Sequence, residues 1–160
     1  MSAHDTMHIA EHLYLRGFIT YPRTESTTYS TNFNFDEILK THQGHPDWGY
    51  YASALLRGEG LSKPKKGVDA GDHPPITPVL SASRSDLGDR EWKLYQFIAR
   101  TFLGSISEDA VFDQVRLLFK VGLNETFKLK GVVLKKPGFL EIMSWQLGAD
   151  KEIPVFKVGQ

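Results

Sequence analysis

Apolar residues recur at helical spacing through the first turns of the chain, with Met7, Ala10, Leu13 and Tyr14 on one face. Ser2 followed by Asp5 resembles a capping box, and Gly17 suits the position after a last turn, so the pattern predicts a helix over 2–16. A strand-like run, Phe18 to Tyr21, follows it. Residues 27–35 are polar with interspersed aromatics and read as loop. Asn34 suits the cap of a short helix through Asp36–Leu39. Pro46 then opens another, with Trp48, Tyr51, Ala52 and Leu55 on one side and Gly58 closing it. Those aromatics could stack on bases, but their spacing makes them core. Residues 58–80 hold four prolines and four glycines, which leaves no room for regular structure. The clearest helix covers 86–104. Asp86 or Asp89 can cap it, and Trp92, Tyr95, Ile98, Ala99, Phe102 and Leu103 build a wide apolar face.

Near residue 110 the period falls to two. Val111, Asp113, Val115, Leu117, Phe119 and Val121 point one way, and Gln114, Arg116 and Lys120 the other. After Gly122-Leu123-Asn124, Phe127 and Leu129 alternate with Lys128 and Lys130, which predicts a β-hairpin with a half-buried face. Pro137-Gly138 turns into a further short strand, Phe139 to Ile142, and the last fifteen or so residues are expected to fray. The fold class is therefore α+β: a mostly helical unit over 1–107, then a small antiparallel β unit over 108–160.

Length allows one domain or two small ones. The chain carries 19 basic and 19 acidic residues, so no overall field draws it to nucleic acid and any such site must be local. It has no cysteine, which excludes disulfides and cysteine-ligated zinc and fits a reducing compartment. No apolar run approaches a membrane span of about 18 residues, and the start does not read as a signal peptide.

The chemistry gathers at Gly17-Phe18-Ile19-Thr20-Tyr21-Pro22-Arg23-Thr24-Glu25-Ser26. Pro22 removes a backbone donor and biases Tyr21 toward extended backbone. Arg23 offers a planar fork suited to phosphate oxygens, and Thr24 and Ser26 add neutral donors. These parts fit a tyrosine attacking a phosphodiester, although a Tyr-Pro turn beside a surface arginine has the same residues. Lys63, Lys65 and Lys66 form a cationic patch upstream of His73, whose ring Pro74 and Pro75 can hold in place. His4, His8 and His12 share a helix face, and pairs four apart can bind metal. They read as a solvated stripe of histidines rather than a metal site.

The stretch around Tyr21 resembles the nucleophile motif of type IA DNA topoisomerases, often Gly-Tyr-Ile-Ser-Tyr-Pro-Arg-Thr-Glu. Phe18, Thr20 and Ser26 depart conservatively from common forms, while Tyr21-Pro22-Arg23-Thr24-Glu25 is intact. Lys65-Lys66-Gly67-Val68-Asp69-Ala70-Gly71-Asp72-His73-Pro74-Pro75-Ile76-Thr77-Pro78 is similar to the family's histidine loop, in its eukaryotic topoisomerase III beta branch. Pro137-Gly138-Phe139-Leu140-Glu141-Ile142-Met143-Ser144-Trp145 is similar to that branch too. The resemblance runs in the family's order from about residue 2 to about residue 146.

The resemblance implies that 1–107 is the catalytic-tyrosine domain and 108–160 an incomplete part of the arch that bounds the strand-passage gate. It implies a phenolic oxygen attacking single-stranded DNA to give a 5′-phosphotyrosyl bond, with topology changed without ATP. It makes Tyr21, Arg23 and His73 catalytic, and Thr24, Ser26, Lys63, Lys65 and Lys66 contacts to nucleic acid. A phenol with an ordinary pKa near 10 needs a proton acceptor or fixed cations to react at neutral pH. The family completes its site with a Toprim domain whose carboxylates hold magnesium, and its Asp-x-Asp-x-Glu signature does not occur in this chain. The reading is thus a portion of such an enzyme, inactive by itself, whose partners are single-stranded DNA, RNA as a second class, and the missing Toprim and remaining domains. The nucleus is the implied location, with the cytoplasm second, and no membrane is involved. The alternative is a non-catalytic module that binds single-stranded nucleic acid or a partner on the same scaffold.

Overall fold

The computed structural model describes residues 1–148 and divides the chain into two compact units, Met1–Glu108 and Asp109–Gln160. The architecture is α+β, with four helices and a two-stranded antiparallel sheet. In the first unit, helix α1 spans Ala3–Leu15. The Ser2 hydroxyl accepts the Asp5 N–H at 3.1 Å and the Asp5 carboxylate accepts the Ser2 N–H at 3.3 Å, so the capping box forms. Gly17 ends the helix at φ +78°, a conformation open to glycine at little steric cost. Ala10 and Leu13 are buried, but Met7 and Tyr14 are 37% and 40% exposed, so half of the predicted apolar face lies outside the core.

Helix α2, Phe35–His42, starts as expected from Asn34, whose side chain accepts the Glu37 N–H at 3.2 Å. Helix α3, Gly49–Leu56, begins three residues after Pro46. The chain first turns through 45–48, where the Asp47 and Gly49 amides donate to His45 Nδ1 and His45 O at 3.1 and 2.8 Å. A Cβ at Gly49 would collide with the Gln43 carbonyl, so only glycine closes this turn. Helix α4, Asp89–Ser105, is capped by neither Asp86 nor Asp89. Instead the Gly88 N–H donates to Glu91 at 3.0 Å, while Asp86 accepts the Ser83 amide and hydroxyl one turn earlier.

The core lies where α2, α3 and α4 bring Leu39, Trp48, Ala52, Leu55, Tyr95 and Phe102 together out of solvent. Full burial of each large side chain contributes on the order of 1.5–3 kcal/mol. The His45 ring stacks on Trp48 at 3.5 Å between centroids, and the Trp48 indole N–H donates to His42 Nδ1 at 3.2 Å. Tyr95 donates to the Leu80 carbonyl at 2.5 Å and accepts the Ala82 N–H at 3.2 Å, fixing the chain where it leaves the long loop.

In the second unit β1, Val111–Val121, pairs antiparallel with β2, Glu125–Lys136, with Leu117 opposite Leu129 and Phe119 opposite Phe127. The predicted half-buried face is shallower than its alternation suggests. Only Val115 and Leu117 in β1 and Gly131–Leu134 in β2 are partly covered, because a two-stranded ribbon has no packing layer of its own. The strand expected at Phe139–Ile142 is a 3₁₀ turn, Gly138–Glu141. Gly138 at φ +50° tightens the backbone, and the Leu140 N–H bonds Pro137 O at 3.0 Å. Residues 149–160, which hold most of the expected frayed end, lie outside the described residues. No described helix is long and apolar enough to cross a membrane.

Candidate active site

Two irregular segments, 18–28 and 67–79, lie side by side and are joined along their length by hydrogen bonds. Ile19 and Pro78 form a single antiparallel bridge, flanked by Thr20 N–H to Thr77 O at 2.9 Å and Val79 N–H to Phe18 O at 2.8 Å. The strand expected over Phe18–Tyr21 shrinks to this one bridge. Pro22 on one side and Pro75 and Pro78 on the other cannot donate to a longer ladder. Side chains take over. The Thr20 hydroxyl donates to Pro75 O at 3.3 Å and accepts the Thr77 N–H at 2.9 Å.

Farther along, the Thr24 hydroxyl donates to the His73 carbonyl at 2.6 Å, and buried Ser26 donates to Asp72 Oδ1 at 3.1 Å while accepting the Ala70 N–H at 3.0 Å. Thr27 closes the array, its N–H on Val68 O at 2.8 Å and its hydroxyl accepting the Val68 N–H at 2.9 Å. Gly67 stands at φ +128°, where an added Cβ would lie 2.8 Å from Thr27 O. Only glycine lets the loop approach this closely. The Asp72 carboxyl is held below its ordinary range, chiefly by the His73 backbone N–H, with the Ser26 hydroxyl adding to it against a desolvation effect. Each hydroxyl has one donor, so Thr24 and Ser26 spend theirs on the loop, and direct donation to a phosphate requires exchanging these bonds.

This lacing brings Tyr21 and His73 together, with ring centroids 4.6 Å apart and planes tilted by 53°. On its other side Tyr21 meets the edge of Tyr14 at 5.1 Å. The phenol is half-buried, sandwiched between a helix residue and a loop residue. Arg23 is exposed and donates from Nη2 to Glu11 Oε1 at 2.5 Å. Lys63, Lys65 and Lys66 are exposed, with the Lys63 ammonium 5.0 Å from the centre of the Phe35 ring. Two of these groups, Lys65 and Lys66, directly precede Gly67, where the loop joins the Thr27 segment. His4, His8 and His12 are all exposed, and His12 Nδ1 lies 2.6 Å from Glu91 Oε1.

Sequence reasoning named Tyr21, Arg23 and His73; the fold packs His73 against Tyr21 and pairs Arg23 with Glu11 of α1. It missed Glu11, Tyr14 and Asp72. The first two belong to α1, and their contacts depend on how the chain turns back after Gly17. Asp72 had a signal in the loop motif but no partner legible without the fold. Chemically, the site offers a phenol, a histidine against it, and a guanidinium two residues on. Among the described residues no group of three or more His, Asp or Glu side chains could hold a metal ion. Of the nearby carboxylates, Glu11 is engaged by Arg23, and Asp72 by Ser26 and the Glu25 backbone N–H.

A family model described as DNA topoisomerase matches residues 1–160. The chain is 42% identical over 154 residues to DNA topoisomerase 3-beta of Arabidopsis thaliana, covering 96% of this chain and 18% of that protein. It is 43% identical over 146 residues to DNA topoisomerase 3-beta-1 of Homo sapiens, covering 91% of this chain and 17% of that protein. Full-length topoisomerase I from Thermotoga maritima superimposes on the whole chain with a TM-score of 0.65 at 24% identity, over 26% of its own length. The chain thus spans less than a fifth of the length of these two curated relatives.

Proposed function

Because the chain belongs to the DNA topoisomerase family, and within it to the type IA, topoisomerase III beta-like branch, we propose that it carries the nucleophile side of a strand-cleaving active site. The observation that carries this reading is Tyr21 held between Tyr14 and His73 with the Arg23 guanidinium nearby in sequence. The Tyr21 oxygen attacks the phosphorus of a backbone phosphate in single-stranded DNA. A tyrosyl oxygen–phosphorus bond forms as the bond from phosphorus to the 3′-oxygen breaks. The phenol loses its proton, and the departing 3′-oxygen gains one as a 3′-hydroxyl. The downstream strand is left on the protein through a 5′-phosphotyrosyl bond.

Reversal by the 3′-hydroxyl restores the backbone, and no ATP is needed because the ester bond energy is retained. Arg23 supports the negative charge that gathers on the phosphate oxygens. His73 adds charge when protonated or moves a proton at the Tyr21 oxygen. Lys63, Lys65 and Lys66 bind flanking phosphates. The part of Thr24 and Ser26 at the DNA is to keep His73 and its loop in register with Tyr21.

Magnesium, implied for the whole enzyme, does not fit the described residues, which present no group of three or more His, Asp or Glu side chains able to hold a metal ion. The Toprim domain and the rest of a complete topoisomerase supply what this chain lacks, RNA is a second substrate class, and the nucleus is the principal location with the cytoplasm second. The reading is tested in a full-length topoisomerase carrying this segment, using oligonucleotides labelled at one end and stopped with denaturant. The 3′-labelled strand should remain on the protein and the 5′-labelled product should run free. Retention of the 5′ label instead would overturn the proposed polarity.

A further inference from the structure

Helix α1 reads as scaffold, yet two of its side chains reach the candidate site. Glu11 and Tyr14 are three positions apart and share one helix face. Glu11 accepts a hydrogen bond from Arg23 at 2.5 Å, and the Tyr14 ring meets Tyr21 edge-on at 5.1 Å. One helix face therefore contacts both the nucleophile and the anion clamp.

Neither contact is needed to hold the fold. The Arg23 and Glu11 side chains are 61% and 39% exposed, and ion pairs this open contribute about 0–1 kcal/mol. Tyr14 is 40% exposed, whereas Ala10 and Leu13 anchor the helix in the core. The hydrogen bond engages one guanidinium nitrogen with one carboxylate oxygen, leaving donors of the fork for another anion. A phosphate can take the fork through two parallel N–H groups and so displace a single-point partner.

We propose that Glu11 and Tyr14 are positioning residues for DNA cleavage. Glu11 holds the Arg23 fork before DNA binds and yields it to the scissile phosphate, while Tyr14 steadies the Tyr21 ring against His73. The inference rests on Tyr21 and Arg23 acting as nucleophile and anion clamp. It gives Glu11 two opposed effects. Its charge competes with the phosphate for Arg23, so removing that charge strengthens DNA binding. Its contact aims the fork, so removing it slows the reaction of the bound strand. Tyr14 acts through its ring and not its hydroxyl.

The test measures oligonucleotide affinity and single-turnover adduct formation in a full-length topoisomerase carrying this segment. Glu11→Gln should bind single-stranded DNA several-fold more tightly and form adduct about tenfold more slowly. Tyr14→Phe should stay within about twofold of wild type in both. Tyr14→Leu, which keeps apolar volume and loses the ring, should leave affinity unchanged and slow adduct formation by up to about 10²-fold, the order expected from a misplaced reacting group. A purely structural role would lower affinity, rate and thermal midpoint together. Glu11→Gln that weakens or leaves binding unchanged, Tyr14→Leu at wild-type speed, or Tyr14→Phe as slow as Tyr14→Leu would overturn the inference. Adduct surviving Tyr21→Phe in the same assay would instead sink the underlying reading. Loss of adduct in that control leaves the reading standing, and the Glu11 and Tyr14 results then decide the inference alone.

Discussion

Arg23 differs from a generic surface cation because its planar fork sits two residues from Tyr21 with a single carboxylate partner. Arg23→Lys keeps the charge and loses the fork. Loss of one such donor typically costs about 10²–10³ in rate, and cleavage or rejoining should fall by that order. Activity within about twofold of wild type would reduce Arg23 to a surface charge. His73 and the lysines divide differently. His73→Ala should slow cleavage more than it weakens binding, whereas joint replacement of Lys63, Lys65 and Lys66 by Ala should weaken binding and flatten its salt dependence. Equal effects of both changes on rate and affinity would remove that division.

A third residue-scale effect belongs to stability. Burial pushes the His42 imidazole down to about 4, helped by the neighbouring His45 and partly opposed by the Pro78 carbonyl. Its Nδ1 accepts the Trp48 indole N–H, so the neutral ring carries its proton on Nε2 and a second proton would have to enter at Nδ1, against that donor. The unfolded chain then binds more protons than the folded one between the ordinary histidine value of about 6.5 and about 4. Stability is complete above that window and declines as pH falls through it. His42→Gln, which keeps an acceptor for Trp48, should flatten the fall of thermal midpoint over this range. An unchanged slope would show that other groups carry it.

At the scale of elements, hydroxyls do the work that a β-ladder cannot do across a proline-rich loop. Ser26→Ala removes the acceptor of the Ala70 N–H and the donor to Asp72. Exchange of the Ala70 amide should therefore quicken about tenfold, equivalent to ~1.4 kcal/mol of local opening, while amides in the centre of α4 keep their protection. Unchanged exchange at Ala70 would mean the loop is held by other contacts. The helices were legible because a 3.6-residue period with Ser2 and Asn34 at the caps is local information. Tyr14 was misplaced because an apolar count treats tyrosine as core, although its ring belongs here to Tyr21. The strand expected after Pro137 failed because Gly138 adopts a left-handed conformation that tightens the chain into a 3₁₀ turn. The Glu11–Arg23 pair was illegible because it forms only once the segment after Gly17 folds back along α1.

For the whole molecule, the decisive feature is what one chain can assemble. It packs His73 against Tyr21, with Arg23 two residues on, but offers no three-ligand carboxylate or histidine group among the described residues, and its net charge is zero. A half-site lacks the groups that orient the scissile strand, and misplacement by about 1 Å can cost roughly 10²-fold. The isolated 160-residue chain should bind single-stranded DNA weakly and relax no negatively supercoiled plasmid, with or without magnesium. Tyr21-dependent relaxation by the chain alone would contradict the half-site account. The central claim, that Tyr21 is the nucleophile, is tested most directly by Tyr21→Phe in a full-length topoisomerase carrying this segment. The substitution removes one oxygen from a half-buried ring whose described contacts are ring to ring, so the thermal midpoint should hold. The account predicts an unchanged fold and no covalent DNA adduct after denaturation, and a 5′-linked adduct still formed by Tyr21→Phe would contradict it.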